Sequence, residues 1–396
     1  MKKLKVVLFV VVLMLFSSVA YSEVFSNEYE VLSNEQNGEN VDLPILGEYD
    51  DRYNEWYNEY NFGQEHIEFT EPLNVIPAAA TSVTNFTDLQ AAINTAGSIP
   101  TTIEIVGDII VPEGSSIEIG LAPGIIQNIT FTGTGSLIGA AVGVTTTIDE
   151  DAPIDIIIQY FHPVIRVRGG STLTLDGPAV TRPPVTGFGR GIHVINSTLI
   201  LENGFIEENN ARPGSLVTNK FEGGGVLLQG VSGGHSYFNM TGGQIRNNGL
   251  LAVTGASSGG GVLALDDSVF TMSGGTISGN TSTNVGGGVA VYLGGTFQMT
   301  GGTIARNTAV EGGGVVMYSG GSFRKTGGVI TGYSSDRTNG NRATREGAPG
   351  HAVLAQVFAG QRVGQGPGNT FARRNSTADE RTNLSVSGPT ASGAWE

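Results

Sequence analysis

The stretch Gly286-Gly287-Gly288-Val289-Ala290-Val291-Tyr292-Leu293-Gly294-Gly295-Thr296-Phe297-Gln298-Met299-Thr300-Gly301-Gly302-Thr303-Ile304-Ala305-Arg306-Asn307 decides the fold. Short runs such as Val289-Ala290-Val291 and Phe297-Gln298-Met299 alternate apolar with small or polar residues, and glycines separate them. Alternation at period two is strand patterning, with one set of side chains turned to a core and the other to solvent. The glycines permit positive φ at tight corners and close approach between neighbouring backbones.

The unit recurs. Glycine triplets open four segments at Gly223-Gly224-Gly225-Val226, Gly259-Gly260-Gly261-Val262, Gly286-Gly287-Gly288-Val289 and Gly312-Gly313-Gly314-Val315. Each continues into Phe-x-[Met/Lys]-[Thr/Ser]-Gly-Gly-x-Ile, through Phe238, Phe270, Phe297 and Phe323 and then Ile245, Ile277, Ile304 and Ile330. The Phe-to-Phe steps are 32, 27 and 26 residues, the longer first step reflecting an insertion near residues 249 to 258. A unit of this size holds three short strands and three turns, and stacking such units buries a continuous core. Register then turns the four phenylalanines into one internal column and the four isoleucines into another.

Weaker copies lie upstream at Ile103-Glu104-Ile105, Ile129-Thr130-Phe131, Ser171-Thr172-Leu173-Thr174-Leu175 and Ser197-Thr198-Leu199-Ile200-Leu201. From residue 102 to 330 the expectation is roughly eight or nine coils, a rod of about 40 Å. The fold class expected is therefore all-β, a right-handed parallel β-helix. Its open ends need covering. Residues 85–94 fit a short N-terminal capping helix, started by Asn85 or Thr87 and presenting Phe86, Leu89, Ala92 and Ile93 to the first coil. Lys325 takes the slot held by Met240, Met272 and Met299, and an inward charge there marks the end of the regular column.

On these residues the chain resembles bacterial surface β-helix proteins of pectate-lyase-like architecture. The glycine triplets, with Ile245-Arg246-Asn247-Asn248, Ile277-Ser278-Gly279-Asn280 and Ile304-Ala305-Arg306-Asn307, are similar to the GGA[ILV] and FxxN repeats of polymorphic outer-membrane adhesins. Isoleucine replaces phenylalanine here, and the membrane barrel of those adhesins is missing. Gly350-His351-Ala352-Val353, Arg373-Arg374-Asn375-Ser376-Thr377 and Gly393-Ala394-Trp395-Glu396 resemble the ending of a group of bacterial repeat proteins. The likeness covers roughly residues 81–396; it implies a fold and an envelope location and carries no catalytic residues to transfer.

The first 22 residues have the layout of a secretory signal peptide. Lys2, Lys3 and Lys5 precede an apolar run from Val6 to Phe16, and Ala20-Tyr21-Ser22 suits cleavage. That run is shorter than the roughly 20 apolar residues a spanning helix needs. No cysteine occurs, so the sequence offers no disulfide, thiolate metal site or lipobox, and no LPxTG-type sorting motif is seen. The formal charge is −15, and removal of the three signal lysines makes it −18, which disfavours nucleic acid as a partner. No cofactor and no transmembrane segment in the mature chain are expected.

Residues 23–80 form an acidic, aromatic-rich arm. Fourteen of the 36 carboxylates fall between Glu23 and Glu71, opposed there only by Arg52. Such a composition reads as a disordered tether, with a docking arm as the alternative, since Tyr53, Trp56, Tyr57 and Tyr60 are interface-type residues. The β-helix is expected over 81–332, with its clearest repeats at 223–332. Residues 333–396 form a basic coil and cap region containing Arg337, Arg342, Arg345, Arg362, Arg373, Arg374 and Arg381.

Chemistry-bearing residues are sparse in the repeats. Asp266, Asp267 and Glu311 are the acids between Gly223 and Ile330. Glycoside hydrolysis needs two carboxylates about 5 to 9.5 Å apart, so Asp266 and Asp267, with His235 of Gly233-Gly234-His235, are the catalytic candidates. In the repeat alignment Asp267 and Ser268 fall where the later coil has Gly294 and Gly295, which is a turn, where Asp commonly bonds local backbone. Asp149, Asp151 and Asp155, with Glu150, are calcium candidates or a solvated acidic loop. The expectation is a non-enzymatic, adhesin-like protein of the cell surface or outer envelope, secreted or periplasmic forms being alternatives, that binds glycan or protein through an extended sheet. A secreted polysaccharide lyase or hydrolase is the first alternative function and a structural envelope protein the second.

Overall fold

The computed structural model describes residues 80–140, 162–183, 189–211, 223–250, 258–318, 320–333, 336–345 and 352–355, together with strands Ala372–Arg374, Leu384–Ser387 and Thr390–Ser392. All belong to one unit, Arg52–Glu396. The expected signal peptide, nearly all of the acidic arm and the calcium candidates Asp149, Asp151 and Asp155 lie outside the described residues.

Among the described residues strands predominate, joined in long parallel sheets, with a single helix. That helix, α1, spans Phe86–Ala96. Asn85 is its N-cap, accepting a 2.9 Å hydrogen bond from the Asp88 amide. Leu89, Ile93 and Ala96 are buried, while Phe86 and Ala92 pack half-buried against the same core.

Each later repeat deals its strands to three sheets in a fixed order. Val262–Leu265 joins a nine-stranded sheet, Val269–Met272 and Thr276–Ser278 a long seventeen-stranded sheet, and Thr281–Ser282 a five-stranded one. The next repeat does the same with Val289–Val291, Thr296–Met299, Thr303–Ala305 and Thr308–Ala309. Pairing is parallel and in register: Phe238, Phe270, Phe297 and Phe323 face one another across successive strands. Their rings stack with centroids 4.7, 4.6 and 5.0 Å apart, close to the parallel-strand spacing. Leu173 and Leu199 continue the same column upstream.

Two more inward columns run beside it. Phe131, Leu175, Leu201, Met240, Met272, Met299 and Lys325 form one. Val180, Ile206, Ile245, Ile277, Ile304 and Ile330 form the other. Lys325 is fully buried, and parallel pairing of the long sheet stops at its strand, where Leu384–Ser387 pairs antiparallel. Val353–Ala355 likewise takes an antiparallel partner, Ala372–Arg374.

At the corner before the five-stranded sheet, Asn209, Asn248, Asn280, Asn307 and Asn341 stack as a buried ladder. The third glycine of each triplet lies against it. A Cβ on Gly261 would sit 2.6 Å from the Gly288 carbonyl oxygen and 3.1 Å from Asn280 Nδ2, so the ladder demands glycine there.

One expectation fails. The outward positions of the nine-stranded sheet are not solvent-facing in the later repeats: Leu227, Leu263, Ala290, Val316 and Leu354 are buried in a second apolar cluster. The connection entering each strand folds back over that face. Ser258, Val285 and Glu311 bridge one another in parallel there, and Ser258 Oγ donates to Tyr292 Oη at 2.8 Å. Val-Leu-Leu and Val-Val-Met runs are therefore strands buried on both faces, for which alternation is not required.

Candidate functional site at the acidic turn

The turn from Val262–Leu265 into Val269–Met272 is made by Asp266, Asp267 and Ser268. Asp266 and Asp267 both have positive φ, 51° and 58°, a conformation Asp tolerates better than most side chains. The Ser268 amide closes the turn on the Leu265 carbonyl at 3.0 Å, and the Asp267 amide donates to Leu293 of the next repeat at 3.3 Å. The Asp267 carboxylate lies over Gly294, occupying the space a Cβ there would need.

The neighbouring turn brings in the third candidate. Gly234 donates to Val231 at 2.9 Å, and the loop so closed sets His235 Nδ1 3.2 Å from the Asp267 carbonyl oxygen. Asn196 of the preceding repeat holds that loop, accepting from the Val231 amide at 2.7 Å and donating to its carbonyl at 2.9 Å. Asp266 is the chemically altered member. Burial pushes its carboxyl up to about 6, against a hydrogen bond from Gln229 that favours the ionised form, with the Asp267 charge adding to the rise. Gln229 also meets His193 Nε2 at 3.3 Å. The three candidates thus share one ridge, each with a local structural partner.

That raised pKa makes a stability prediction. The folded chain binds the Asp266 proton more tightly than the unfolded chain does, so stability falls as pH rises from about 4 to about 6. Asp266→Asn keeps the positive-φ residue type and removes the buried charge. At pH 7 it is expected to raise stability by about 1 kcal/mol, after discounting for partial solvent exposure, and to gain nothing at pH 3.5. Urea unfolding of both chains at the two pH values measures the difference.

The outer face of the long sheet is at least partly exposed along both of its outward rows. Thr172, Thr198, Tyr237, Val269, Thr296 and Ser322 form one outward row in register. Thr174, Ile200, Asn239, Thr271, Gln298 and Arg324 form the next. Across these two rows Arg324 is the one charge. The lower strands add the ion pair of Arg246 Nε with Glu207 at 2.5 Å, the guanidinium lying 4.3 Å over the Phe205 ring.

Among the described residues, no group of three or more His, Cys, Asp or Glu side chains comes together to hold a metal ion. None of the described helices is long and apolar enough to cross a membrane. Arg337 and Arg342 of the basic region stack over Tyr333, at 6.0 and 5.3 Å, and Arg345 pairs with Glu311. Sequence reading overlooked one group on the first strands of the nine-stranded sheet: Glu118, Arg166 and His193 stand in one outward column, and Glu118 pairs with both Arg166 and Arg168. Its signal was Arg166-Val167-Arg168, charges alternating with an inward valine. The chain matches no family model, no curated protein and no solved structure.

Proposed function

We propose that this chain is an exported right-handed parallel β-helix of the cell surface or outer envelope, and that it binds glycan or protein through the outer face of its long sheet. The fixed order in which each repeat supplies strands to three parallel sheets supports the β-helix. The signal-like first 22 residues support export. The observation that carries the binding role is the pair of outward rows from Thr172 to Ser322 and Thr174 to Arg324. They make a flat, registered surface of hydroxyls, amides and β-branched side chains with almost no charge. Such a surface suits contact spread over many weak sites.

Two measurements test this. Protease shaving of intact expressing cells, followed with antibody to the repeats and a periplasmic control, is expected to remove the repeat signal while sparing the control. Protection until the envelope is broken would place the chain inside and end the adhesin reading. Then Asn239→Arg, Thr271→Arg and Gln298→Arg together are expected to weaken binding to whichever glycan or matrix ligand the purified chain captures by at least tenfold, about 1.4 kcal/mol. All three side chains point outward, so circular dichroism and unfolding midpoint should hold.

A second reading, a secreted polysaccharide lyase or hydrolase, draws on Asp266, whose raised pKa would keep a proton available near pH 6, with Asp267 and His235 beside it. Product release from acidic or neutral polysaccharides that is abolished by Asp266→Asn or Asp267→Asn would replace the binding role. A purely structural envelope role would follow if neither binding nor turnover is found.

A further inference from the structure

We propose that the uncharged end of the acidic arm, Leu73 to Ala79, seals the first coil by lying over an exposed apolar corner formed by Ile99, Leu121, Ile125 and Ile126. The inference does not rest on the binding role proposed above.

Exposure singles out this corner. Of the seven large apolar side chains exposed among the described residues, six lie between Ile99 and Ile126, and the seventh is Tyr237. The loop Leu121-Ala122-Pro123-Gly124-Ile125-Ile126 is exposed at every position and has no polar side chain. Ile99, Leu121 and Ile126 each keep just over half of their surface in solvent. Aliphatic exposure concentrated in this way marks a contact surface, whereas scattered single residues would not.

Hydrogen bonds hold these side chains in one place. Gln127 Nε2 donates to the Ile93 carbonyl near the end of α1 at 2.7 Å, and Gln127 Oε1 accepts from the Gly120 amide at 2.7 Å. The base of the loop is thus tied to the helix end. The Ile99 amide donates to the Ala96 carbonyl of the same helix end at 3.1 Å, and the Ile125 amide to the Ala122 carbonyl at 3.2 Å. Register agrees, because Thr101 pairs with Ile129, and two residues earlier Ile99 falls beside Gln127.

The same register points to the occupant. Thr81–Val83 pairs in parallel with Thr101–Ile105, Thr81 standing opposite Ile103. Continued upstream at that offset, Ile76 falls opposite Ser98 and Pro77 opposite Ile99. Leu73 to Ala79 lie just upstream of the first described residue, Ala80. The eight residues from Leu73 to Thr81 reach about 25 Å, enough to cross the corner. Composition separates this stretch from the rest of the arm. Pro72 to Ala80 carries no charge and includes Leu73, Val75 and Ile76, while the fourteen acids all precede it.

Charge selects among occupants. Residues 81–140 contain Asp88, Glu104, Asp108, Glu113 and Glu118 and no lysine or arginine. An anionic surface, or the same corner of a second copy, would meet like charge there, which an uncharged segment avoids. Attachment through Thr81 also makes the contact intramolecular, at high effective concentration.

The chain has no cysteine, so a disulfide trap reads the contact in the full chain. Ile76→Cys with Ser98→Cys, an exposed position, is expected to form an intramolecular disulfide under mild oxidation, found by peptide mass mapping. Ile76→Cys with the exposed Thr338→Cys should not. Leu73→Ser, Val75→Ser and Ile76→Ser together should lower the urea midpoint by about 0.5 M and raise the binding of an apolar dye. Adding Ile99→Ser, Leu121→Ser and Ile126→Ser should remove that dye response, and the combined loss of stability should be smaller than the sum of the two sets. A disulfide formed only between chains would give the corner to a second copy. Sedimentation of the full chain with phosphatidylcholine vesicles, abolished by the three corner substitutions, would give it to a bilayer. Either result would overturn the proposal, as would failure to trap Ser98 or equal trapping at Ser98 and Thr338.

Discussion

Phe270→Ala is expected to destabilise the chain by about 4 kcal/mol, the range for a fully buried aromatic truncated in a tight core. Phe270 has no solvent exposure and lies between two parallel rings, 4.7 Å from Phe238 and 4.6 Å from Phe297. Both neighbours lose a stacked face together with the apolar area the ring covered. The backbone cannot close the gap, because Phe270 is fixed in parallel register on both sides by strands that also carry Met240, Met272 and Met299. Phe270→Leu should cost only about 1 kcal/mol, since Leu fills most of the volume and the column itself changes to Leu199 and Leu173 upstream. Urea unfolding followed by far-ultraviolet circular dichroism gives both numbers. Equal losses for Ala and Leu would mean that refilling the volume recovers nothing and that the ring stack itself carries the stabilisation.

The phenylalanine and isoleucine columns were legible because the repeats from Gly223 onward obey one spacing, and parallel pairing converts spacing directly into contact. Upstream the same columns exist and are harder to read. Thr172–Thr181 and Thr198–Glu207 run as unbroken ten-residue strands, where later repeats divide at Gly-Gly. Their corners are Asp176-Gly177 and Asn203-Gly204, and the pairing slips register there. A search keyed to glycine pairs passes over such corners. Lys325 was read correctly as the end of the methionine column because a lysine in an apolar slot contradicts its neighbours.

Function was less legible, for a physical reason. The outward slots of a parallel strand tolerate any residue whose surroundings suit it, so Arg166, His193, Leu227 and Leu263 occupy one column without a shared motif. What joins Arg166 and Arg168 to Glu118 is the pairing of different strands, which spacing along the chain does not encode. The turn of the acid pair was placed correctly from the alignment of Asp267 and Ser268 with Gly294 and Gly295. The rise in the Asp266 pKa was not foreseeable, because it comes from burial.

The asparagine ladder carries the other large effect. Asn280→Ala is expected to cost about 4 kcal/mol, from three buried groups losing partners at roughly 1 to 3 kcal/mol each. Asn280 Oδ1 accepts from both the backbone amide of Asn248, at 3.0 Å, and its Nδ2, at 2.9 Å. Asn280 Nδ2 donates to the Ile245 carbonyl and to Asn307 Oδ1, both at 2.9 Å. Alanine therefore strands the Asn248 amide and removes one bond each from the Ile245 carbonyl and from Asn248 Nδ2, which retains Ile206 at 2.8 Å. Water cannot replace them, since Asn248, Asn280 and Asn307 are all essentially unexposed and the third glycines of the triplets press against their amides. Asn280→Asp separates the two halves of the argument. It keeps the acceptor for Asn248 but sets a buried carboxylate against the Ile245 carbonyl and Asn307 Oδ1. Its folded-state pKa must then lie above the unfolded value, so it should be less stable than Asn280→Ala at pH 7 and recover as pH falls below about 4. Thr281→Ala, one residue on and exposed, should change stability by less than about 0.5 kcal/mol. If Asn280→Ala proved as mild as Thr281→Ala, the ladder would be a consequence of stacking and not one of its causes, and the burden of holding the corner would pass to the glycine triplets.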